Sequence, residues 1–177
     1  MAIFNRIPKQ KEILPVYAVI VLMVYGWTIL KFSYYVPGWL YFLNLGEVLM
    51  VFAYSATVNL LESLLVLLGI VSIGTALPKK WFADAFVARG AALSALVLGL
   101  MMYVANQFNY KEYYPSEMIR WFPVIVVAMG VFVYFLGRIK FVCNLIEAFA
   151  DRAIIFLYIS IPVSVLSLIV VVVRNVV

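Results

Sequence analysis

The chain has 177 residues, of which 67% are apolar and 12% charged, and its formal net charge is +5. Globular chains are about half apolar and about a quarter charged, so this sequence lacks the polar surface a water-soluble fold requires. The absence of histidine and the single cysteine, Cys143, exclude an internal disulfide, a CxxC redox pair, His-ligated haem, the usual zinc-hydrolase sites and a Ser-His nucleophile.

The apolar residues come in long blocks, which predicts an all-α membrane protein, a compact bundle of about five transmembrane helices in one polytopic domain. Arg6, Lys9 and Lys11 precede the first block. Its length and the absence of a small-x-small cleavage site point to a retained span over about residues 14–32 rather than a signal peptide. Pro15 is expected in its first turn. Tyr34, Tyr35, Trp39 and Tyr41 follow, the amphipathic aromatics of a headgroup interface. The second block, 45–77, would reach about 50 Å as one helix, against a hydrocarbon core of about 30 Å. It must therefore tilt, protrude or bend. Asn44 and Glu47 have the spacing of a capping box, which starts a helix at Leu45, with 45–51 as an extension of a span at 52–76.

Pro78 and the basic turn Lys79-Lys80-Trp81 end that helix. A third span is predicted over 86–106, followed by a polar, aromatic loop from Tyr110 to Glu117. The fourth is placed at 121–136 with Pro123 near its first turn, and 138–152 reads as a mixed, charged stretch. The fifth span covers 153–173, with Pro162 midway as an expected helix kink near Tyr158. Helices two, three and five are expected at the centre, because they carry the polar stripe, the small residues and the kink.

Basic residues set the orientation. Arg6, Lys9, Lys11, Lys79, Lys80, Arg89, Arg138, Lys140 and Arg152 fall on one side, and Lys31, Lys111, Arg120 and Arg174 on the other. The richer side belongs in the cytoplasm, so the N-terminus is expected inside and the C-terminus outside the cell membrane. Because these charges flank apolar blocks, membrane lipids rather than nucleic acid are the expected partners.

Glu62 is the residue with the strongest claim to chemistry. It falls near the middle of the second span, where an ionisable side chain costs at least about 2.5 kcal/mol. Ser55 and Asn59 share its helix face and Ser63 lies beside it, so these four form the candidate ligand or proton site. Two readings stay open. As interhelical glue, Glu62 would donate to a neighbour such as Tyr103, Tyr134, Tyr158 or Ser160. As a functional group, it would line a cavity for a headgroup, a solute or a proton. Glu47 falls on the same side, where capping explains it more simply.

Ala91, Ala95 and Gly99 repeat every four residues on the third span, a small-residue surface for helix packing. Asp84, Glu147 and Asp151 fall at the basic end, but their spacing matches no metal site. No phosphate loop, nucleophile elbow or zinc motif occurs, and no cofactor is expected. Three functions follow in order. The first is a non-catalytic subunit or scaffold of a membrane assembly, with a protein partner or as a homo-oligomer. The second is a small solute- or lipid-binding or transport component built on Glu62 and Asn59. The third is a lipid-acting enzyme using Asp84, Glu147 and Asp151.

Overall fold

The computed structural model describes residues 8–78, 81–108 and 116–176. Arg6, Lys79, Lys80, Lys111 and the loop residues Tyr110 to Pro115 lie outside the described residues. The described chain forms α1 (Gln10–Trp39), α2 (Leu45–Ala76), a 3-10 turn at Ala83–Ala85, α3 (Phe86–Phe108), α4 (Ser116–Leu136), α5 (Lys140–Ala153) and α6 (Ile155–Val176). Five of these, all but α5, contain stretches long and apolar enough to cross a membrane. The protein is an all-α, multi-pass membrane bundle.

The helices are longer than the apolar blocks alone suggest. α1 starts at Gln10, and the Lys9 amide donates to the Glu12 carboxylate at 2.9 Å, so Pro15 sits inside the helix rather than in its first turn. Pro123 is likewise interior, because α4 starts at Ser116. Membrane helices tolerate such prolines because the freed carbonyls find other donors. α6 runs unbroken through Pro162, which faces outward. At the start of α2 the capping box forms. The Glu47 amide donates to Asn44 Oδ1 at 2.9 Å, and the Asn44 amide donates to Glu47 Oε2 at 2.8 Å.

α1 is the centre of the bundle. Val16, Ala18, Val19, Ile20 and Val21 are all at most 3% exposed, so neighbours surround the helix on every side. Those neighbours are α2, α3, α5 and α6, while α4 packs mainly on α3. This corrects the expectation that the second, third and fifth spans form the middle. A helix that is apolar all round belongs inside, whereas a helix with a polar stripe has only one committed face.

Burying apolar surface gains little when the alternative is lipid, so close fit must hold the helices together. Helices approach closely at Gly90, where an added Cβ would lie 3.2 Å from Val16 Cγ2 and 3.3 Å from Ile70 Cγ2, and at Gly74, 3.0 Å from the Phe86 ring. Ala91 is buried with Ala18, Ala150 and Ala153, and Ala95 packs at the margin of that cluster. Gly99 departs from the expected stripe: a Cβ there would meet nothing within 4 Å. The stripe works only at its Ala91 end, where α3 touches both α1 and α5.

Two further features differ from the sequence expectation. The stretch read as mixed is the helix α5, 14 residues long and about 21 Å, too short to span the hydrocarbon core. It buries Ala150 and Ala153 and exposes Phe141, Leu145 and Phe149 on one face, the pattern of an interfacial helix. The long second block is resolved by protrusion. Lys31 of α1 meets Asn106 near the end of α3, yet α1 continues to Trp39, eight residues or about 12 Å further. The first turns of α2 accompany it, with Phe32 and Phe52 in edge contact at 5.3 Å.

Candidate functional site

α2 and α3 touch at one end of the bundle, where Gly74 meets Phe86 and Ile70 meets Gly90. Towards the Lys31 end they separate, leaving a cleft floored by α1. Its inner half, about 390 Å³, is lined by apolar residues including Val24, Leu65, Val66, Leu98, Met101 and Met102. Its outer half, about 500 Å³, is lined by Lys31, Tyr35, Trp39, Tyr54, Ser55 and Asn59, among others. Trp27, Thr28 and Glu62 belong to both halves and form the junction.

Asn59 is 5% exposed and anchored from one side only. Its Oδ1 accepts from the Thr28 hydroxyl at 3.0 Å, while its buried Nδ2 has no acceptor among the described residues. Glu62, one turn deeper, has no hydrogen-bond partner among the described residues and opens into both halves of the cleft. The expected interhelical bonds from Glu62 therefore do not form. Tyr103 and Tyr158 are exposed outward, Tyr134 is engaged with Arg138 at 2.6 Å, and the buried Ser160 hydroxyl has no partner among the described residues.

The other two candidates are already satisfied. The Ser55 hydroxyl donates to the Val51 carbonyl at 2.9 Å, although its side chain still borders the cleft. Ser63 is fully buried, donates to the Leu60 carbonyl at 2.9 Å and meets the Tyr17 hydroxyl at 3.4 Å. Such bonds to the preceding turn satisfy a hydroxyl without a ligand. Of the four-residue stripe, Asn59 and Glu62 retain uncommitted polar atoms, the Asn59 Nδ2 buried beside the cleft and the Glu62 carboxyl at its junction.

Lys31 supplies the positive charge of the site, a role the sequence reading did not give it. Its Nζ donates to Asn106 Oδ1 at 2.8 Å and lies 4.7 Å from the Trp27 ring centroid. It has no carboxylate partner among the described residues, so neutral groups hold the cation in place. Trp27 and Lys31 are four residues apart on one helix, a spacing that brings side chains together and was the readable signal. A second signal was Ser160, Ser164 and Ser167 on α6, all buried. Tyr25 ties this stripe to α2: its hydroxyl contacts Ser164 and donates to the Ala56 carbonyl at 3.1 Å.

At the opposite end, Arg89 is not an exposed member of a charge cluster. It is 6% exposed, 5.6 Å from the Tyr134 ring, and its Nη2 donates to the Gly137 carbonyl at 3.4 Å. Among the described residues no three acidic or cysteine side chains gather, so Asp84, Glu147 and Asp151 are not brought into one site. Cys143 is half-buried with its Sγ 3.5 Å from the Gly137 carbonyl. Comparison with protein-family models, curated proteins and solved structures finds no match to this chain.

Proposed function

We propose that this protein is a non-catalytic component of the cell membrane that binds an amphiphilic ligand in the α1–α2–α3 cleft, with its N-terminus in the cytoplasm and its C-terminus outside. One observation carries the reading. The Asn59 Nδ2 and the Glu62 carboxyl, on successive turns of an apolar helix, both lack partners among the described residues at the cleft that these side chains line. Polar groups at membrane depth are costly unless paired. A ligand with polar atoms at the junction and an apolar tail in the inner half gives them partners.

The test is gentle extraction followed by native mass spectrometry. A bound small-molecule mass is expected on the protein and should disappear in Leu65→Trp, which fills the inner half of the cleft, with helicity unchanged. A protein that carries no adduct in either form would remove the reading.

A second reading, the subunit of a larger assembly, draws on the tip of the α1–α2 hairpin, where Leu40, Tyr41 and Phe42 are 53–88% exposed beyond the end of α3. Stoichiometric recovery of another protein, lost on Tyr41→Ser with Phe42→Ser, would favour it.

A further inference from the structure

The vertical order of the polar groups in the cleft identifies the class of ligand. Lys31 lies three residues beyond Thr28 on α1, about 5 Å further out. Thr28 is bonded to Asn59, which fixes the two at one level. Glu62 lies three residues further along the antiparallel α2, about 5 Å deeper again. From the mouth inward the cleft therefore presents a cation, then an uncommitted amide donor, then a carboxyl, and then an apolar chamber.

A glycerophospholipid has the matching order: an anionic phosphate, ester carbonyls, then acyl chains. Lys31 has three N–H donors and commits one to Asn106, leaving the others for an anion. With no carboxylate beside it among the described residues, its charge is available to a ligand from outside the protein. The bound amine is also pre-positioned by Asn106 and the Trp27 face, which reduces the entropy lost on binding.

We propose that the cleft is a site for an anionic phospholipid, with its phosphate on the Lys31 ammonium, an ester carbonyl accepting from Asn59 Nδ2, and one acyl chain running past Glu62 into the chamber formed by Val24, Leu65, Val66, Leu98, Met101 and Met102. The inference rests on the amphiphile-binding reading above and adds to it the charge and orientation of the ligand. The interfacial aromatics Tyr35 and Trp39, stacked with centroids 5.9 Å apart, border the mouth where the headgroup emerges.

The test uses the full-length protein in a non-ionic detergent, titrated with phosphatidylglycerol, with diacylglycerol of the same chains, and with inorganic phosphate, each read by native mass spectrometry. Phosphatidylglycerol should be retained at one per chain and diacylglycerol about tenfold more weakly, the difference being one charge-assisted contact. Inorganic phosphate should not be retained, because it gains nothing from the apolar chamber. Lys31→Gln should reduce phosphatidylglycerol to the level of diacylglycerol, and Lys31→Arg should preserve it.

Equal retention of both lipids, unaffected by Lys31→Gln but lost on Leu65→Trp, would overturn the phosphate inference and leave the amphiphile reading standing. An equal loss in Arg174→Gln would place the anion on the bundle's exterior and overturn the inference. Retention of neither lipid would overturn both.

Discussion

Asn59 sets stability against binding within a single side chain. A buried polar atom left without a partner costs about 1–3 kcal/mol, whereas interhelical hydrogen bonds such as Thr28–Asn59 return on average about 0.6 kcal/mol in a membrane protein. The balance predicts that Asn59→Leu, which keeps the branching at Cγ, stabilises the ligand-free protein by on the order of 1 kcal/mol. A higher unfolding temperature of delipidated protein in detergent would register the gain, and the same variant should lose the retained lipid. A lower unfolding temperature would instead make the Thr28 bond the dominant role of Asn59. Ser63 is the contrasting residue, because its hydroxyl already has partners in Leu60 and Tyr17. An apolar replacement there removes satisfied bonds and relieves no orphaned atom. The opposition of stability and function at Asn59 is the pattern expected where a site is kept ready for a ligand.

At the level of the helix, α2 owes its start to a local signal. Asn44→Ala removes the half of the capping box in which Asn44 Oδ1 accepts from the Glu47 amide and leaves the residue-44 amide on the Glu47 carboxylate; losing an N-cap side chain costs about 0.5–2 kcal/mol. Faster amide hydrogen exchange at Glu47 is expected, with amides from Ala53 onward unchanged. A uniform acceleration along α2 would mean that the cap supports the whole helix rather than its first turn. The capping box was legible in the sequence because its donors and acceptors lie three residues apart. So was the face shared by Ser55, Asn59 and Glu62, since helical spacing alone places them together. α5 was not legible from long apolar blocks, because it is short and strongly two-sided. Its signal was the spacing of Phe141, Leu145 and Phe149, four residues apart on one face. Lys31 escaped for a different reason. Its pairing with Trp27 is local, but its contact with Asn106 depends on the register between helices. The centrality of α1 was readable in principle from its unbroken apolar circumference at residues 16–21, but a polar stripe on another helix drew the expectation away.

For the whole molecule, the antiparallel run of the helices puts Lys31, Arg120 and Arg174 at the mouth end of the cleft and Lys9, Arg138, Lys140 and Arg152 at the other. The positive-inside bias supports the proposed orientation, with the second end in the cytoplasm and the mouth towards the outer leaflet. Two engineered cysteines decide this in a Cys143→Ser background, which removes the native thiol. Asn175→Cys should react with a membrane-impermeant maleimide on intact cells, and Gln10→Cys only after permeabilisation. The reverse pattern would turn the bundle over and carry a second consequence. The cleft would then draw on the cytoplasmic leaflet, where anionic lipids give the surface its negative potential, and Lys31 would meet its phosphate at high local concentration. With the mouth outward, the same lysine must select an anionic lipid from a leaflet poorer in them. Its fixed position between Trp27 and Asn106 suits that task better than a freely rotating side chain, because less order remains to be imposed on binding.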